Sequence, residues 1–234
     1  MILAHRLTKS YGPLPVLTGL ELAAGPGALT LVVGANGAGK TTALRVLAGL
    51  SRPDGGSVTI AGHDLQRARA QALAHLSFLP QSPRFHPLLS VAQVAEFYAR
   101  LRGRDLRAAG VALADWGLAE FARVRTGKLS GGLRQRLALA VFALADTPVR
   151  LLDEPGLSLD PEWRQRLQDF LVRETRRGRT VLVATHLLGE WEGRVDRCLL
   201  IKDGRAAGEL PPDRLREAFS LSGETSAPLA VAAA

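Results

Sequence analysis

Cysteine is nearly absent from this sequence: Cys198 is the only one among 234 residues. An internal disulfide is therefore excluded, a reducing, cytosolic setting is expected, and Cys198 reads as a small buried hydrophobe. Asparagine occurs once, as Asn36, and lysine supplies four of the 30 basic residues, leaving 26 arginines. Long apolar runs are missing as well. The stretch "LALAVFALA" at 137–145 falls well short of the roughly 20 residues that span a bilayer. A spanning helix is not expected. Nor is a secretory leader, because "MILAHRLTKS" meets charge within its first six residues.

What is present is a foldable, basic chain. Hydrophobic residues make up 47%, which excludes a disordered polypeptide. The formal net charge of +8 raises nucleic acid or an anionic membrane as partners. The arginine bias and scarcity of asparagine fit a GC-rich genome or a thermophile equally well, so charge alone does not make nucleic-acid binding the expectation.

Short β-segments and turns are expected over residues 1–57, with an apolar strand "LTLVV" (29–33) and a helix in "TTALRVLAGL". Further strands are expected in "GSVTIAG" (56–62), "LSFLPQ" (76–81), "VRLL" (149–152) and "TVLVAT" (180–185), the last two separated by a helix over 161–177. Ser90 followed by Gln93 predicts a capping box. Residues 84–128 are helical in pattern, with no strand candidate, and read as a lobe inserted into an α/β core. Strands alternating with helices predict a mainly parallel sheet, with ligands at the strand ends. Arg150 interrupts an apolar run and reads as an exposed strand start. Residues 221–234 read as a mobile tail.

The chemistry starts with "GANGAGKT", Gly34 to Thr41, between a buried strand and a helix. This is the G-x-x-x-x-G-K-[ST] pattern in its confirming context. Its glycines let backbone N–H groups converge on phosphate oxygens at the helix's positive end. Gly34, Asn36, Gly37, Gly39, Lys40, Thr41 and Thr42 are thus the candidate nucleotide contacts, with Lys40 reaching the β- and γ-phosphates and Thr41 on Mg²⁺. In "LLDEP", Asp153 is assigned to the metal and Glu154 to the attacking water. Gln81, ending its strand, is a candidate metal or water ligand. His186, after "TVLVAT", is placed on the γ-phosphate and Tyr11 on the purine.

A second glycine turn, "LSGGLRQR" (129–136), raises a question, since one phosphate loop is already complete. Ser130, Gly131 and Gly132 offer donors at a helix N-terminus. Arg134 and Arg136 in its first turn oppose the helix dipole unless an anion arrives there. The turn is separated from Lys40 by the inserted helical region. Two copies, head to tail, would each lend this turn to the other's nucleotide.

The ordered set Tyr11, "GANGAGKT", Gln81, "LSGG", "LLDEP", "SLD" and His186 resembles the ATP-binding cassette (ABC) ATPases, the motors of ABC transporters. The resemblance covers about residues 1–215. It implies an α/β P-loop NTPase fold with a mainly parallel sheet, N-terminal antiparallel β-segments and a helical lobe. The expected domain is 1–220, with its core at about 1–83 and 137–215 and its lobe at about 84–136. The resemblance further implies ATP and Mg²⁺ as cofactors and Glu154 as the catalytic base. Tyr11 would stack on adenine, Gln81 would couple the lobes to the transmembrane partner, and His186 would contact the γ-phosphate. Ser130, Gly131, Gly132 and Asp160 would act across the dimer. The implied partners are a separate permease and a second cassette, in a homodimer on the inner face of the cell membrane. The sequence departs from the family's pattern at Leu133, where glutamine is usual, and at Gly156, Leu157 and Arg150. The stretch "LSGE" (221–224) copies half the signature with no helical pattern after it. The short single cassette looks most like small bacterial ones that pair with six-helix permeases, copper-handling maturation cassettes among them. The alternative, a soluble cassette acting on nucleic acid or ribosomes, fits less well, since such proteins carry two cassettes or a long coiled coil. A regulatory cassette that binds without hydrolysing is disfavoured by Glu154 and His186.

Overall fold

The computed structural model describes residues 1–221; the "LSGE" decoy from its second residue on and the expected tail beyond Leu221 lie outside the described residues. The chain opens with β1 (Ile2–Tyr11) and β2 (Leu14–Ala24), a hairpin of two long strands rather than the short segments expected. After β3 (Leu29–Val33) and α1 (Lys40–Leu47) come β4 (Gly55–Ile60), β5 (His63–Asp64), α2 (Arg69–Ala74) and β6 (Leu76–Leu79). Three helices follow: α3 (Val91–Leu101), α4 (Leu106–Asp115) and α5 (Gly131–Ala143). Then come β7 (Val149–Asp153), α6 (Pro161–Arg176), β8 (Thr180–Ala184), β9 (Arg197–Lys202), β10 (Arg205–Leu210) and α7 (Leu215–Leu221).

Two sheets result. One is antiparallel, in the order β2-β1-β4-β5; the other runs β10-β9-β3-β8-β7-β6, parallel except for the edge strand β10. Strands β9 and β10 were not among those expected. β10 is exposed at most positions and so lacks the apolar run that marks a buried strand.

The inner parallel strands are covered on both faces, which is why they read as continuous hydrophobic runs. Leu29, Leu31 and Val33 pack with the helices α3 to α6, while Val32 packs on the other side with α1 and the antiparallel sheet. Strand β7 alternates likewise, with Leu152 toward the helices and Val149 and Leu151 away from them.

Arg150 therefore is not an exposed strand start: it is fully buried. Its guanidinium pairs with Glu174 of α6 at 2.7 Å and donates to the carbonyls of Phe142 and Ala145 at the end of α5. Burial pulls its pKa down to about 9, with Arg179 adding to the effect and Asp146 opposing it. The local pattern could not show this, because both sets of partners sit on other elements.

Local signals fixed the helix ends. The capping box on α3 forms, with Ser90 Oγ accepting from the Gln93 N–H at 3.2 Å and Gln93 Oε1 accepting from the Ser90 N–H at 2.8 Å. Asp160 caps α6 through the Trp163 N–H at 3.0 Å, Pro161 fills the first position, and Arg173 and Arg176 lie in the last turn.

Candidate functional site

The parallel register brings four chain segments to one edge. Val32 of β3 stands beside Ala184 of β8, Ala184 beside Asp153 of β7, and Leu152 of β7 beside Leu79 of β6. The phosphate loop, His186, the Asp153–Glu154 pair and the Gln81 segment therefore all leave the sheet from the carboxyl ends of neighbouring strands, about 5 Å apart.

The loop between β3 and α1 depends on glycine at two positions. A Cβ at Gly34 (φ 154°) would run into the Ile201 carbonyl, and one at Gly39 (φ 104°) would press on Leu17 and on the Val16 carbonyl at 3.0 Å. Within the loop Lys40 is buried, its ammonium donating to the carbonyls of Gly34 at 2.7 Å and Ala35 at 3.1 Å. Gly37 lies in the loop with positive φ, and Asn36 is exposed. Thr42 is half-buried in the first turn of α1.

Thr41 Oγ1 donates to Asp153 Oδ1 at 3.2 Å, closing the gap between strands that are not neighbours. Burial pushes the Asp153 carboxyl above its ordinary value; the Thr41 hydrogen bond opposes this and the Glu154 charge adds to it. A hydroxyl beside a desolvated carboxylate is a donor set that fits Mg²⁺, which takes one or two protein oxygens and completes its shell with water and phosphate. Among the described residues no cluster of three or more His, Cys, Asp or Glu forms a cage for another kind of metal.

Glu154 is buried, sits at φ 47°, and is anchored by its N–H to the Ala184 carbonyl at 2.8 Å. Its Oε1 accepts from His186 Nδ1 at 2.9 Å. Since a carboxylate only accepts, the Nδ1 proton is on the histidine. Glu154 Oε2 has no hydrogen-bond partner among the described residues. A carboxylate with one oxygen held and the other buried and unpaired is set to take a proton from a water brought there.

The remaining expected residues are placed as follows. Gln81 lies past the end of β6, exposed on the loop, rather than ending the strand. Tyr11 ends β1, about half exposed, with the Lys9 ammonium 5.6 Å from its ring centroid. Ser130 caps α5 by accepting from the Leu133 N–H at 3.3 Å, which leaves its hydroxyl proton available. Asp160 carries its capping role, and Leu133 packs half-buried against the core.

Arg134 and Arg136 both have partners within the chain. Arg134 donates back to the Leu129 carbonyl at 3.1 Å. Arg136 donates to the carbonyls of Trp116 and Gly117 and lies 3.8 Å from the ring of Trp163. Burial lowers its pKa, with Asp160 opposing the effect. Protein carbonyls and an aromatic face satisfy the charges that looked misplaced against the helix dipole.

Gln135 was missed. It is buried in α5 and its Nε2 donates to the Pro155 carbonyl at 2.9 Å. No local signal marked it, because it stands between Arg134 and Arg136, where a third polar residue reads as solvent-facing.

The family described as "ABC transporter" matches residues 17–156. A second, described as "AAA domain, putative AbiEii toxin, Type IV TA system", matches residues 123–190, less than half of the chain. The human phospholipid-transporting ATPase ABCA7 is 38% identical over 197 residues, which is 82% of this chain but 9% of that protein. The Nod factor export ATP-binding protein I of Burkholderia orbicola is 34% identical over 219 residues, 91% of this chain and 71% of its own length. Among solved structures, an ATP-binding subunit of an ABC transporter matches at TM-score 0.84 and 24% identity, covering 96% of this chain and 95% of that one. The dimeric post-hydrolysis structure of an ATP-binding cassette bound to ADP and Pi matches at TM-score 0.83 and 25% identity, covering 91% and 99%.

Proposed function

The chain belongs to the ABC transporter family, and on that premise we propose that it is the ATP-binding and ATP-hydrolysing motor of a transport complex, working as a dimer that encloses two ATP molecules. The observation that carries the reading is the meeting, at one sheet edge, of the Thr41–Asp153 contact with the Glu154–His186 pair and the unpaired Glu154 oxygen.

The loop from Gly34 to Thr42, with Asn36, Gly37, Gly39 and Lys40, holds the phosphates of one ATP. Tyr11, exposed beside this half of the chain, presents a ring face to its adenine. Thr41, Asp153 and Gln81 would hold Mg²⁺, which supplies charge neutralisation along the phosphate oxygens when bound. Glu154 takes the proton of the attacking water through Oε2, while His186 holds Oε1 and fixes where the carboxylate points. Ser130, Gly131, Gly132 and Asp160 of a second copy complete the enclosure. The division into a core at about 1–83 and 137–215 and a helical lobe at about 84–136 is kept, with α5 running through its boundary.

The permease is a separate chain that this one meets at a membrane surface. Supporting that partner, Phe97 and Leu101 on α3 and Leu88 on the preceding loop are more than half exposed, close along the chain to the Gln81 segment. Among the described residues no helix is long and apolar enough to cross a membrane, so the spanning part of the complex is assigned to that partner.

The test replaces Glu154 with Gln, so that nucleotide is held without turnover, and measures molar mass with and without Mg-ATP. A doubling of mass that requires ATP, and that Ser130→Arg abolishes, is the expected result. A protein that stays monomeric in both states sinks the homodimer.

A further inference from the structure

Deepening the reading just given, on which it rests, we infer that Gln135 is a positioning residue: it ties the Ser130 turn, which closes on the partner's ATP, to the Glu154 turn, which acts on this chain's own ATP. Each chain then carries a mechanical link between the two enclosed nucleotides.

The two turns already touch within one chain. A Cβ on Gly132 would lie 3.0 Å from the Ser158 carbonyl, so the signature turn sits directly on the segment that follows Glu154. Gln135, one helical turn further along α5, is buried and donates from Nε2 to the Pro155 carbonyl at 2.9 Å. Pro155 is the next residue after Glu154, whose left-handed backbone leaves it little freedom to absorb a displacement. The far end of α5 is held as well, by the Arg150 guanidinium on the Phe142 and Ala145 carbonyls and on Glu174. A helix pinned by buried polar contacts at both ends to β7 and its neighbours cannot slide along them. Movement imposed at Ser130 is therefore delivered at Pro155, and from there to the carboxylate that attacks.

The contact is a charge-free hydrogen bond whose loss strands a buried carbonyl. Gln135→Met keeps the volume and removes the donor. Gln135→Glu keeps the shape and turns donor into acceptor, facing the Pro155 carbonyl. If Gln135 only filled space, Gln135→Met would turn over as the wild type does, while a buried Glu carboxylate would cost stability whatever the role of the residue. If it positions Glu154, turnover falls in the order Gln, Met, Glu.

The measurements are melting temperature, kcat, KM for Mg-ATP, the Hill coefficient of the rate against ATP, and molar mass in the Glu154→Gln background. The expected result for Gln135→Met is a kcat lower by about tenfold and a KM within about twofold. The Hill coefficient falls from above one toward one, and ATP still doubles the mass of the Glu154→Gln, Gln135→Met protein. Wild-type kcat and Hill coefficient in Gln135→Met, alongside a dimer that forms in Glu154→Gln, overturn the link alone. Loss of that dimer on adding Gln135→Met also overturns it, because Gln135 would then merely build the turn. A Glu154→Gln protein that never dimerises removes the premise and the link together.

Discussion

At Glu154 a non-glycine residue holds a left-handed backbone, a conformation costing about 1–2 kcal/mol. That cost is borne between a strand and a turn, where the Ala184 carbonyl and His186 fix both the backbone and the side chain. Its neighbour Asp153 is buried and held above its ordinary pKa by desolvation, with Thr41 partly offsetting. A carboxyl so raised penalises the fold once it is charged: the penalty is absent below the unfolded value and grows as pH rises past it. Asp153→Asn is therefore expected to stabilise the nucleotide-free protein by about 1 kcal/mol at neutral pH, a gain that shrinks toward acid pH. Steady-state Mg-ATP hydrolysis is expected to fall at least ~100-fold. Denaturant melts at two pH values and a turnover assay check this, and an unchanged or lower stability at neutral pH would contradict it.

Among the elements, α5 is tied to the rest of the fold by polar side chains at both ends. Ser130 caps it, Gln135 and Arg136 tie its first half to the Pro155 turn and to Trp163, and Arg150, itself paired with Glu174, holds its end. The helix was legible from its glycine turn and apolar run, as were α3 from its capping box and α6 from Asp160-Pro161. Its attachments were not legible. Arg150 looked like an exposed interruption because one strand's pattern cannot reveal a partner on α6 or carbonyls on α5. Arg150→Met keeps bulk but leaves Glu174 with Arg177 and Arg179 only, and strands the Ala145 carbonyl, whereas the Phe142 carbonyl still accepts from the Ala145 N–H. Urea unfolding is expected to show a loss of about 2–4 kcal/mol, largely recovered when Glu174 is replaced by Leu in the same chain. A loss below ~0.5 kcal/mol would mean the buried pair contributes nothing net.

For the whole molecule, part of the basic charge is turned to internal use. Arg104 and Arg179 meet Asp146, Arg194 meets Asp169, and Arg164 and Arg197 pair with Glu190 and Glu209. The chain spans only 9% of the human relative it resembles and 71% of the bacterial one. If turnover needs two copies, specific activity must fall on dilution, with rate varying as the square of protein concentration in the dilute limit. A specific activity constant across about a hundredfold dilution would overturn the requirement for a second copy, since each chain would then hydrolyse alone.

The sequence by itself determined the parts written in contiguous residues. These were the phosphate loop with its glycines, the strands whose two buried faces make them continuous apolar runs, the helix caps, and the acidic pair at a strand end. They are legible because backbone conformation and the burial pattern of a strand are local matters. Only the tertiary structure decided which strand ends stand side by side, and hence that His186 holds Glu154 and Thr41 reaches Asp153. It also decided that Arg150 is buried, that Arg134 and Arg136 serve protein carbonyls, and that Gln135 reaches Pro155. Each of those depends on a partner distant in sequence, and the energy of a desolvated polar group is set by whether that partner arrives.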